Sequence, residues 1–563
     1  MQQIIECVPN FSEGVNGDVI RQITDEIEQV EGVRLLNVDP GKATNRTVVT
    51  FVGAPESVIE AAFRAIKKAS ELIDMSKHKG EHPRMGATDV CPLIPVAGIS
   101  MEETAEYARK LAKRVGAELT IPVYLYEAAA LIPGRTNLSE IRAGEYEGFF
   151  KKIHLPEWKP DFGPATMNAK AGATVIGARD FLIAYNVNLN TTSVRRANSI
   201  AFDVRERGRV LREGDPINGK IVNDEYGNPV HVPGSLKAVK AIGWFIEEYG
   251  VAQISMNLTD INKTPVHIAF DEVCKKADAR GIRVTGSELV GLIPLKCMLD
   301  AGRFFLEKQQ RSTGVSEEEL IKIAVKSMGL EELGPFEPQK RIIEYLLSNS
   351  NDERLVSMSL KDFANETLSE SPAPGGGSIA AYLGALGISL AGMVANLSAH
   401  KRGWDSRWKE FSDVAEKALA FQKELLKMVD EDTRAFNRIM DAFGLPKSTE
   451  EEKTVRKNAI AEATLHAIET PLSVMRLACQ SMDVMAEMAE KGNPNSVSDA
   501  GVGALCARSA VMGAWLNVRI NCAGYSDADY VKRVLNEAAD WAKKAQDKEA
   551  AILQQVDRVI DKA

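Results

Sequence analysis

The densest cluster of polar side chains in the sequence spans residues 77–86, with the sequence KHKGEHPRMG. A histidine that is neutral near pH 7 can act as a general base, and Pro83 keeps the backbone of His82 extended. The cations Lys79 and Arg84 could bind carboxylates, Arg84 through two parallel hydrogen bonds. Two interpretations follow: a solvated surface loop, or a site where His82 removes a proton beside a bound carboxylate.

The same cluster contains a second histidine, His78, four residues before His82. This spacing brings two histidines to one metal ion when both lie on one face of a helix. Gly80 and Pro83 oppose a helix at this point. We therefore expect no metal site here.

Two further polar segments of the first half are candidates for binding. Asp39 and Arg46, in NVDPGKATNRTVVTF, lie at the end of one predicted strand and the start of the next. Such positions suit either the rim of a sheet or an Asx turn. Residues 161–172 form a predicted loop where two subdomains would meet, which suits either a ligand cleft or a plain linker.

The clearest signal in the second half is a carboxylate on an apolar helix face. Asp432 interrupts a stripe of residues spaced three or four apart, namely Phe421, Leu425, Met428, Phe436, Ile439 and Phe443. Burial raises the pKa of a carboxylate toward the range used for proton transfer. Asp432 is therefore a candidate proton-transfer group, with an ion pair to an arginine on a neighbouring helix as the alternative. Asp430 is predicted to point away from the stripe into solvent.

Two polar loops of the second half precede predicted helices. The segment 372–378, PAPGGGS, could let backbone N–H groups approach an anion at a helix N-terminus, or could be a flexible cap that packs closely. No Gly-Lys-Ser/Thr follows it, so it is not a P-loop. In the segment 492–501, GNPNSVSDAG, Ser498 or Asp499 would cap a helix predicted over 500–519.

These candidates belong to two different architectures. Up to about Gly329, short β-like runs alternate with amphipathic helical patterns, which predicts α/β or α+β subdomains with mixed sheets. From about Phe336 onward, strand-like runs vanish and long helical patterns remain. This second part is predicted to be an all-α helical bundle.

A weak internal repeat divides the first architecture. The helices predicted near 57–73 and 267–279 lead to ATDVCPLIPV and GSELVGLIPL, which indicates two related subdomains with a break near 177–180. Residues 210–233, rich in Gly, Asp, Asn and Pro, are predicted to form an exposed hairpin or loop. The polar stretch 331–340 is predicted to link to the helical part.

The composition narrows the class of protein. With 45% hydrophobic and 26% charged residues among 563, the chain is expected to be globular, with three or four domain-sized units. A net charge of −9 opposes a broad nucleic-acid surface. Seven scattered cysteines without a CxxC pair indicate buried thiols in a reducing compartment. The N-terminus lacks signal-peptide features and no apolar run reaches about 18 residues, so we expect a cytoplasmic protein.

The chain resembles the formiminotransferase-cyclodeaminase family over essentially its whole length. The resemblance rests on ECVPNFSEG, NVDPGKATNRTVVTFVG, KGEHPRMGATDVCPLIPV, YLYEAA, RAGEYEG, DFGPATMNAKAGATVIGARDFLIAYNVNL, GSELVGLIPL, SPAPGGGS, VDEDTRAF and GNPNSVSD. The segment 210–233 departs from it by being longer than in the vertebrate pattern. The resemblance implies two formiminotransferase subdomains, a linker and a helical cyclodeaminase domain, over 1–178, 179–328, 329–345 and 346–563.

The resemblance also implies two consecutive reactions on one folate. The first transfers a formimino group from N-formimino-L-glutamate to N5 of tetrahydrofolate, a step of histidine degradation. The second cyclises 5-formiminotetrahydrofolate to 5,10-methenyltetrahydrofolate and releases ammonia. Tetrahydrofolate, with or without a polyglutamate tail, would be a cosubstrate, and no metal or redox cofactor is expected. Neither nucleic acid nor membrane is expected as a partner, and the helical domain would hold a homo-oligomer together.

Position by position, the family's transferase base falls on His82 and its cyclodeaminase aspartate on Asp432. Lys79, Arg84 or Arg46 would then hold the carboxylates of the glutamate. The folate-binding loop of the family falls on Gly163, Pro164, Ala165, Thr166, Met167, Asn168, Ala169, Lys170, Ala171 and Gly172.

Two other interpretations of the helical part compete with this one. Helical relatives of the cyclodeaminase hydrolyse methenyltetrahydrofolate, so the domain could be a cyclohydrolase. It could also be a scaffold that only oligomerises the transferase. The position of Asp432 on an apolar stripe argues against a scaffold.

Overall fold

A computed structural model describes residues 3–42, 44–80, 83–214, 219–347 and 355–562. The chain forms two compact units. The first comprises Met1–Ala301 with Ala324–Leu347, and the second comprises Gly302–Ile323 with Ser348–Ala563. The division between them therefore falls within two helices, α8 (Leu295–Lys308) and α9 (Glu317–Met328).

The first sheet of the first unit has seven strands. They are β1 (Ile4–Cys7), β2 (Asn10–Phe11), β3 (Val33–Gly41), β4 (Arg46–Gly53), β5 (Thr88–Ala97), β6 (Val123–Glu127) and β7 (Thr174–Ala178). Both β1 and β2 pair with β4 on one side and β5 on the other, so they form one strand interrupted at Val8 and Pro9. The pairs β5–β7 and β6–β7 are parallel and the other pairs are antiparallel, so the sheet is mixed.

Helices cover one face of this sheet. Ile5 and Cys7 of β1 are fully buried in a core to which α1 (Gly17–Glu28), α2 (Pro55–Leu72) and α3 (Met101–Glu118) contribute. Because strand side chains alternate between faces, Glu6 and Val8 point to the opposite face. Two shorter helices, α4 (Leu138–Arg142) and α5 (Glu145–Lys152), follow β6.

The second sheet of this unit has four antiparallel strands: β8 (Ile183–Leu189), β11 (Val239–Ile246), β12 (Val251–Leu258) and β13 (Val284–Val290). Their order in the sheet is β11–β12–β8–β13. The helices of this subdomain include α6 (Val194–Val204) and α7 (Val266–Asp278). Between α6 and β11, the strands β9 (Arg209–Val210) and β10 (His231–Val232) pair antiparallel. The hairpin predicted over 210–233 is therefore present, and its residues 215–218 lie outside the described part of the chain.

The segment after α9 folds onto the first unit. It contains α10 (Pro338–Arg341) and α11 (Ile343–Leu347), and Ile342 between them is fully buried. The backbone N–H of Ile343 donates to the carbonyl of Ile293. The domain boundaries expected from the family resemblance remain predictions.

The second unit is helical, as predicted. It consists of α12 (Leu360–Leu368), α13 (Gly376–Ala399), α14 (Trp408–Gly444), α15 (Glu450–Lys491), α16 (Val497–Cys522) and α17 (Ala528–Ile560). Small residues let α13 and α16 cross closely: a Cβ on Gly387 would lie 2.7 Å from the carbonyl oxygen of Gly503. The fold class, two sheet-containing subdomains followed by an all-α domain, is thus confirmed.

By length and composition, one helix in the described part of the chain could cross a membrane: α13. More than half of its most apolar stretch is buried within the helical unit. Burial of this kind is what a core helix of a bundle requires, so composition alone does not make α13 a membrane span.

The predicted start of the last but one helix was wrong. We expected Ser498 or Asp499 as its cap, but α16 begins at Val497 with Ser496 in the capping position. The reason is a short 3-10 turn over Pro494–Ser496 that leads directly into the helix. Asp499 consequently lies in the first turn, where a negative charge is favourable.

Candidate functional site

A cavity of about 520 Å³ lies between the two sheets of the first unit. It is lined by the strand faces opposite the helix-packed cores. In β4, Val48 and Thr50 line it whereas Val49 and Phe51 are buried in the core. The second sheet contributes its uncovered face in the same way, including Asn186, Gln253 and Glu288.

Two arginines and one aspartate form a buried cluster at this cavity. Asp89 is fully buried and accepts hydrogen bonds from Arg46 at 2.5 Å and Arg142 at 2.6 Å. The backbone N–H of Met85 donates to its other oxygen, and Arg46 also donates to Asn10. Burial, together with the charge of Arg142, lowers the pKa of Arg46 to about 10. Two guanidinium groups against one carboxylate leave a positive excess, which favours an anionic ligand.

A further carboxyl group and a further arginine line the cavity on the side of the first sheet. Glu6 and Arg179 both line the cavity, and Glu6 is only 4% exposed. Burial raises the pKa of Glu6 to about 7, with the charge of Arg179 opposing the rise. Burial also raises the pKa of the neighbouring Tyr126 to about 12.

The opposite wall of the cavity carries a carboxylate held by neutral donors. Glu288 accepts from Asn186 at 3.0 Å, from Gln253 at 3.3 Å and from the hydroxyl of Tyr249 at 3.3 Å. Burial, and then the charge of Glu288, raise the pKa of Tyr249 to about 12. The second sheet therefore presents negative charge to a cavity whose first wall carries arginines.

Both residues predicted at a sheet rim line this cavity. Besides Arg46, Asp39 accepts from the backbone N–H of Gly291 at 2.9 Å, and Arg341 lies 3.9 Å from it. The partner of Asp39 is thus at the end of β13 and not in a local Asx turn. Asp39 joins the two subdomains across the cavity.

The predicted base, His82, lies outside the described residues. On one side of it, His78 contacts the carbonyl of Asn45 through Nε2 at 2.9 Å, and Lys79 is exposed. On the other side, Arg84 donates to Glu145 at 3.0 Å and to Glu147 at 2.8 Å. The guanidinium that we considered for carboxylate binding is therefore already paired with two carboxylates of the chain.

The predicted folate-binding loop, 163–172, docks against the strand-like segment that follows His82. The backbone N–H of Ala87 donates to the carbonyl of Ala171, and that of Ala173 donates to Met85. Gly172 has a φ of +73° and lies so close to the carbonyl of Met85 that a side chain would not fit. The first part of the loop is largely exposed. The structure thus places the end of the predicted folate-binding loop against Met85 and Ala87.

In the helical unit, Asp432 lies against the N-terminus of α13. Its Oδ2 accepts from the backbone N–H of Ser378 at 2.9 Å and from the hydroxyl of Ser378 at 3.1 Å. Burial raises the pKa of Asp432, and the two hydrogen bonds from Ser378 oppose the rise. The partner is therefore a serine and a helix N-terminus and not the arginine considered as an alternative.

The glycine-rich loop makes this contact possible. Gly377 lies in the first turn of α13, and a Cβ at this position would overlap the carboxylate of Asp432. The adjacent Gly376 has room for a side chain, because its nearest neighbour is the amide of Asn517 at 3.7 Å. The loop over 372–378 thus brings a helix N-terminus onto the candidate carboxylate.

Two expectations about α14 were wrong. Asp430 is buried and not solvated, because the backbone N–H groups of Leu355 and Val356 donate to it at 2.8 and 3.3 Å. The apolar stripe is buried at Leu425, but Phe436 and Phe443 near the helix end are 41% and 52% exposed. The helix extends beyond the core that covers its first part.

The loop over 492–501 does not reach Asp432 within one chain. The backbone N–H of Asn493 donates to Ser398, near the C-terminal end of α13, whereas Asp432 contacts Ser378 near the opposite end. Twenty residues of helix separate these two serines by about 30 Å.

Sequence reasoning missed Glu6, Asp89, Arg142 and Glu288. For Glu6 and Glu288, the available signal was the period of two in ECVPN and GSELV, in which a polar residue alternates with core residues. Within the described ranges, no group of three or more His, Cys, Asp or Glu side chains could hold a metal ion.

Comparisons with known proteins agree over the whole chain. Family models described as "Formiminotransferase domain, N-terminal subdomain", "Formiminotransferase domain" and "Formiminotransferase-cyclodeaminase" match residues 4–179, 184–348 and 359–540. The "Formimidoyltransferase-cyclodeaminase" of Mus musculus is 43% identical over 554 residues, covering 98% of each chain.

Two shorter relatives match the two parts separately. The "Glutamate formimidoyltransferase" of Thermoplasma acidophilum is 42% identical over 306 residues, which cover 54% of this chain and 92% of that protein. The "Methenyltetrahydrofolate cyclohydrolase" of Methylorubrum extorquens is 38% identical over 178 residues, which cover 32% and 86%.

Proposed function

The chain belongs to the formimidoyltransferase-cyclodeaminase family, and from this premise we propose where each of its two reactions takes place. The enzyme transfers the formimino group of N-formimino-L-glutamate to N5 of tetrahydrofolate. It then cyclises the product to 5,10-methenyltetrahydrofolate with release of ammonia. The transfer is assigned to the cavity of the first unit and the cyclisation to Asp432 of the second.

The Arg46–Asp89–Arg142 cluster carries the first assignment. Formiminoglutamate has two carboxylates, and the cluster offers it a buried positive excess. The turn that leads into Arg46 also contacts the residues before His82, because the side chain of Asn45 donates to the carbonyl of Lys79 at 2.8 Å. The segment that precedes the predicted base is therefore hydrogen-bonded to the turn that precedes Arg46.

In the transfer, N5 of tetrahydrofolate attacks the formimino carbon, and a C–N5 bond forms. His82 removes the N5 proton as the tetrahedral intermediate develops. The bond from carbon to the glutamate nitrogen then breaks, and that nitrogen leaves as an amine after taking up a proton. Arg46 and Arg142 hold the glutamate, which keeps the reacting carbon in position.

In the cyclisation, N10 attacks the same carbon and the former imino nitrogen leaves as ammonia. The leaving nitrogen needs a proton, and N10 must lose one. Asp432 can accept the proton that N10 loses and donate it to the leaving nitrogen, since burial raises the pKa of Asp432 toward the working range. The hydrogen bonds from Ser378 fix the orientation of its carboxyl group.

Paired variants test the two assignments in one experiment. We expect His82→Ala to abolish transfer while cyclisation of supplied 5-formiminotetrahydrofolate continues, and Asp432→Asn to do the reverse. Transfer is measured by glutamate release and cyclisation by methenyltetrahydrofolate absorbance. If either folded variant loses both activities, the two-site assignment is wrong.

Because one shorter relative is named as a methenyltetrahydrofolate cyclohydrolase, hydrolysis of methenyltetrahydrofolate is the alternative activity of the helical unit. Ammonia release distinguishes the two, because a cyclohydrolase opens methenyltetrahydrofolate without forming ammonia. We expect one ammonia for each methenyltetrahydrofolate formed from the formimino compound. Hydrolysis of methenyltetrahydrofolate without ammonia would instead favour the cyclohydrolase.

We further propose that the helical units of two chains associate. Apolar side chains between 39% and 72% exposed lie on α13 and α16: Leu386, Met393, Leu397, Val502, Leu505, Leu516 and Ile520. An apolar surface of this kind is typical of an interface between subunits. Leu516→Glu should lower the molar mass found by light scattering, whereas Leu368→Glu, on the exposed helix α12, should not. An unchanged mass in Leu516→Glu would contradict this interface.

We place the enzyme in the cytoplasm, where its buried thiols would stay reduced.

A further inference from the structure

Glu6 is a buried carboxyl group without a protein partner in the described part of the chain. It lies on β1, is 4% exposed and lines the cavity. No hydrogen bond or ion pair to a described residue satisfies its carboxyl group, although Arg179 is close enough to act on it through its charge. Its strand neighbours Ile5 and Cys7 point into the core on the other side of the sheet.

Such a group is costly for the fold. A polar side chain removed from water without a hydrogen-bond partner destabilises the folded state. The buried carboxylate of Asp89, behind the two cavity arginines, is held by both of them and by a backbone N–H. The difference indicates that Glu6 is satisfied by something that enters the cavity.

The layout of charge along the wall points to the chemistry of that ligand. Asn10, which Arg46 contacts, lies four residues from Glu6 along an interrupted strand, about 13 Å at the usual rise. The wall therefore offers a positive cluster at one end and, at the other, an acceptor carboxyl with Arg179 near it. Formiminoglutamate has its γ-carboxylate at one end and, at the other, an amidine beside the α-carboxylate. The amidine is protonated in neutral water.

We propose that Glu6 binds the planar N–H edge of an amidine, and that this edge is the formimino group of the donor substrate. A carboxylate with both oxygens available can accept two parallel N–H groups of an amidinium, as it does from an arginine. The contact would orient the reacting carbon, with the γ-carboxylate of the glutamate held by Arg46 and Arg142. The inference rests on the proposed assignment of transfer to this cavity.

Tetrahydrofolate carries a similar edge, formed by the 2-amino group and the adjacent ring N–H of its pterin. The two sources differ in which Michaelis constant depends on Glu6. The test compares Glu6→Gln with wild type and with Glu247→Gln, which makes the same change at an exposed position outside the cavity. N-formyl-L-glutamate, in which a neutral formamide replaces the amidinium of the donor, serves as a competitive inhibitor.

We expect Glu6→Gln to raise the KM for formiminoglutamate by about tenfold to a hundredfold, as loss of a charged hydrogen bond predicts. The inhibition constant of N-formyl-L-glutamate and the KM for tetrahydrofolate should change by less than about threefold, because neither uses the charge of Glu6. A rise in the KM for tetrahydrofolate alone would keep the amidine edge but assign it to the pterin.

Two results would overturn the inference. One is unchanged constants for both substrates. The other is an equal loss of affinity for formiminoglutamate and N-formyl-L-glutamate, which would mean that Glu6 only shapes the site. Arg142→Gln separates these from a failure of the assignment itself: if that variant also leaves the KM for formiminoglutamate unchanged, the cavity is not the transfer site.

Discussion

The cavity of the first unit and the Asp432 site of the helical unit hold charge inside the protein in different ways. In the cavity, several arginines and carboxylates from distant parts of the sequence contribute charge. Asp89, for example, accepts hydrogen bonds from two arginines. At the second site one carboxylate rests on one serine at a helix N-terminus. Substitutions in the cavity should therefore give graded losses, whereas disturbance of Asp432 should remove its activity almost completely.

The sharpest test of this contrast is Gly377→Ala. The new Cβ would overlap the carboxylate of Asp432, and a short side chain can give way only by turning aside. Because a displacement of about 1 Å in a catalytic group can cost a hundredfold in rate, we expect kcat for cyclisation to fall by about that factor or more. Transfer should be unaffected, as measured by glutamate release.

Gly376→Ala is the matched control for this variant. Its Cβ meets nothing closer than 3.7 Å, and the substitution lies in the same helix turn. It should retain most of the cyclisation activity. If both alanine variants are equally inactive, flexibility of the loop and not the position of Asp432 controls the reaction.

In the cavity, Arg142→Gln should have a smaller and graded effect. Asp89 keeps Arg46 as a partner, so the variant should fold, but the positive excess is lost. We expect the KM for formiminoglutamate to rise by about tenfold with little change in kcat, since one of several carboxylate contacts is removed. Arg64→Gln, which breaks a surface pair with Glu60, is the control. A loss as complete as that expected for His82→Ala would contradict shared binding.

Glu6 should also affect stability, with a dependence on pH that identifies it. Burial raises its pKa from an ordinary value of 4.5 to about 7, so the folded protein binds its proton more tightly than the unfolded chain does. Stability contributed by the protonated group is therefore complete below pH 4.5 and is lost as the pH rises to about 7. Arg179 and Cys7 are the titratable or charged groups beside it.

Glu6→Gln cannot lose a proton, so its stability relative to wild type should increase between pH 5 and pH 8. The change should not exceed about 3 kcal/mol in the free energy of unfolding. Melting temperatures of the two proteins across this range measure it, with Glu247→Gln as a variant that should follow wild type. Parallel curves for Glu6→Gln and wild type would mean that Glu6 ionises normally.

The sequence predicts patterns within an element better than partners between elements. The alternation of strands and helices up to Gly329 and the later helical pattern were enough for the fold class. The slot of Asp432 on an apolar helix face was visible for the same reason. Arg84, in contrast, looks available in the sequence, and only the structure pairs it with Glu145 and Glu147, some sixty residues later. Periodicity carries no information about such long-range pairs.

Asp430 also has partners that periodicity does not predict, and replacing it should give the smallest and most specific effect of the substitutions considered. It lies two residues before Asp432, and its role is structural, because it accepts hydrogen bonds from the backbone N–H groups of Leu355 and Val356. Asp430→Asn should lower the free energy of unfolding by about 1–3 kcal/mol, as loss of charged hydrogen bonds predicts, and leave kcat for cyclisation unchanged. Asp432→Asn should instead raise the free energy of unfolding and abolish cyclisation, because burial of the Asp432 carboxylate destabilises the folded state. Melting temperatures and cyclisation rates of the two variants, measured side by side, separate the roles. A folded Asp430→Asn protein without cyclisation activity would show that the site of the helical unit depends on both carboxylates, much as the cavity depends on several charged groups.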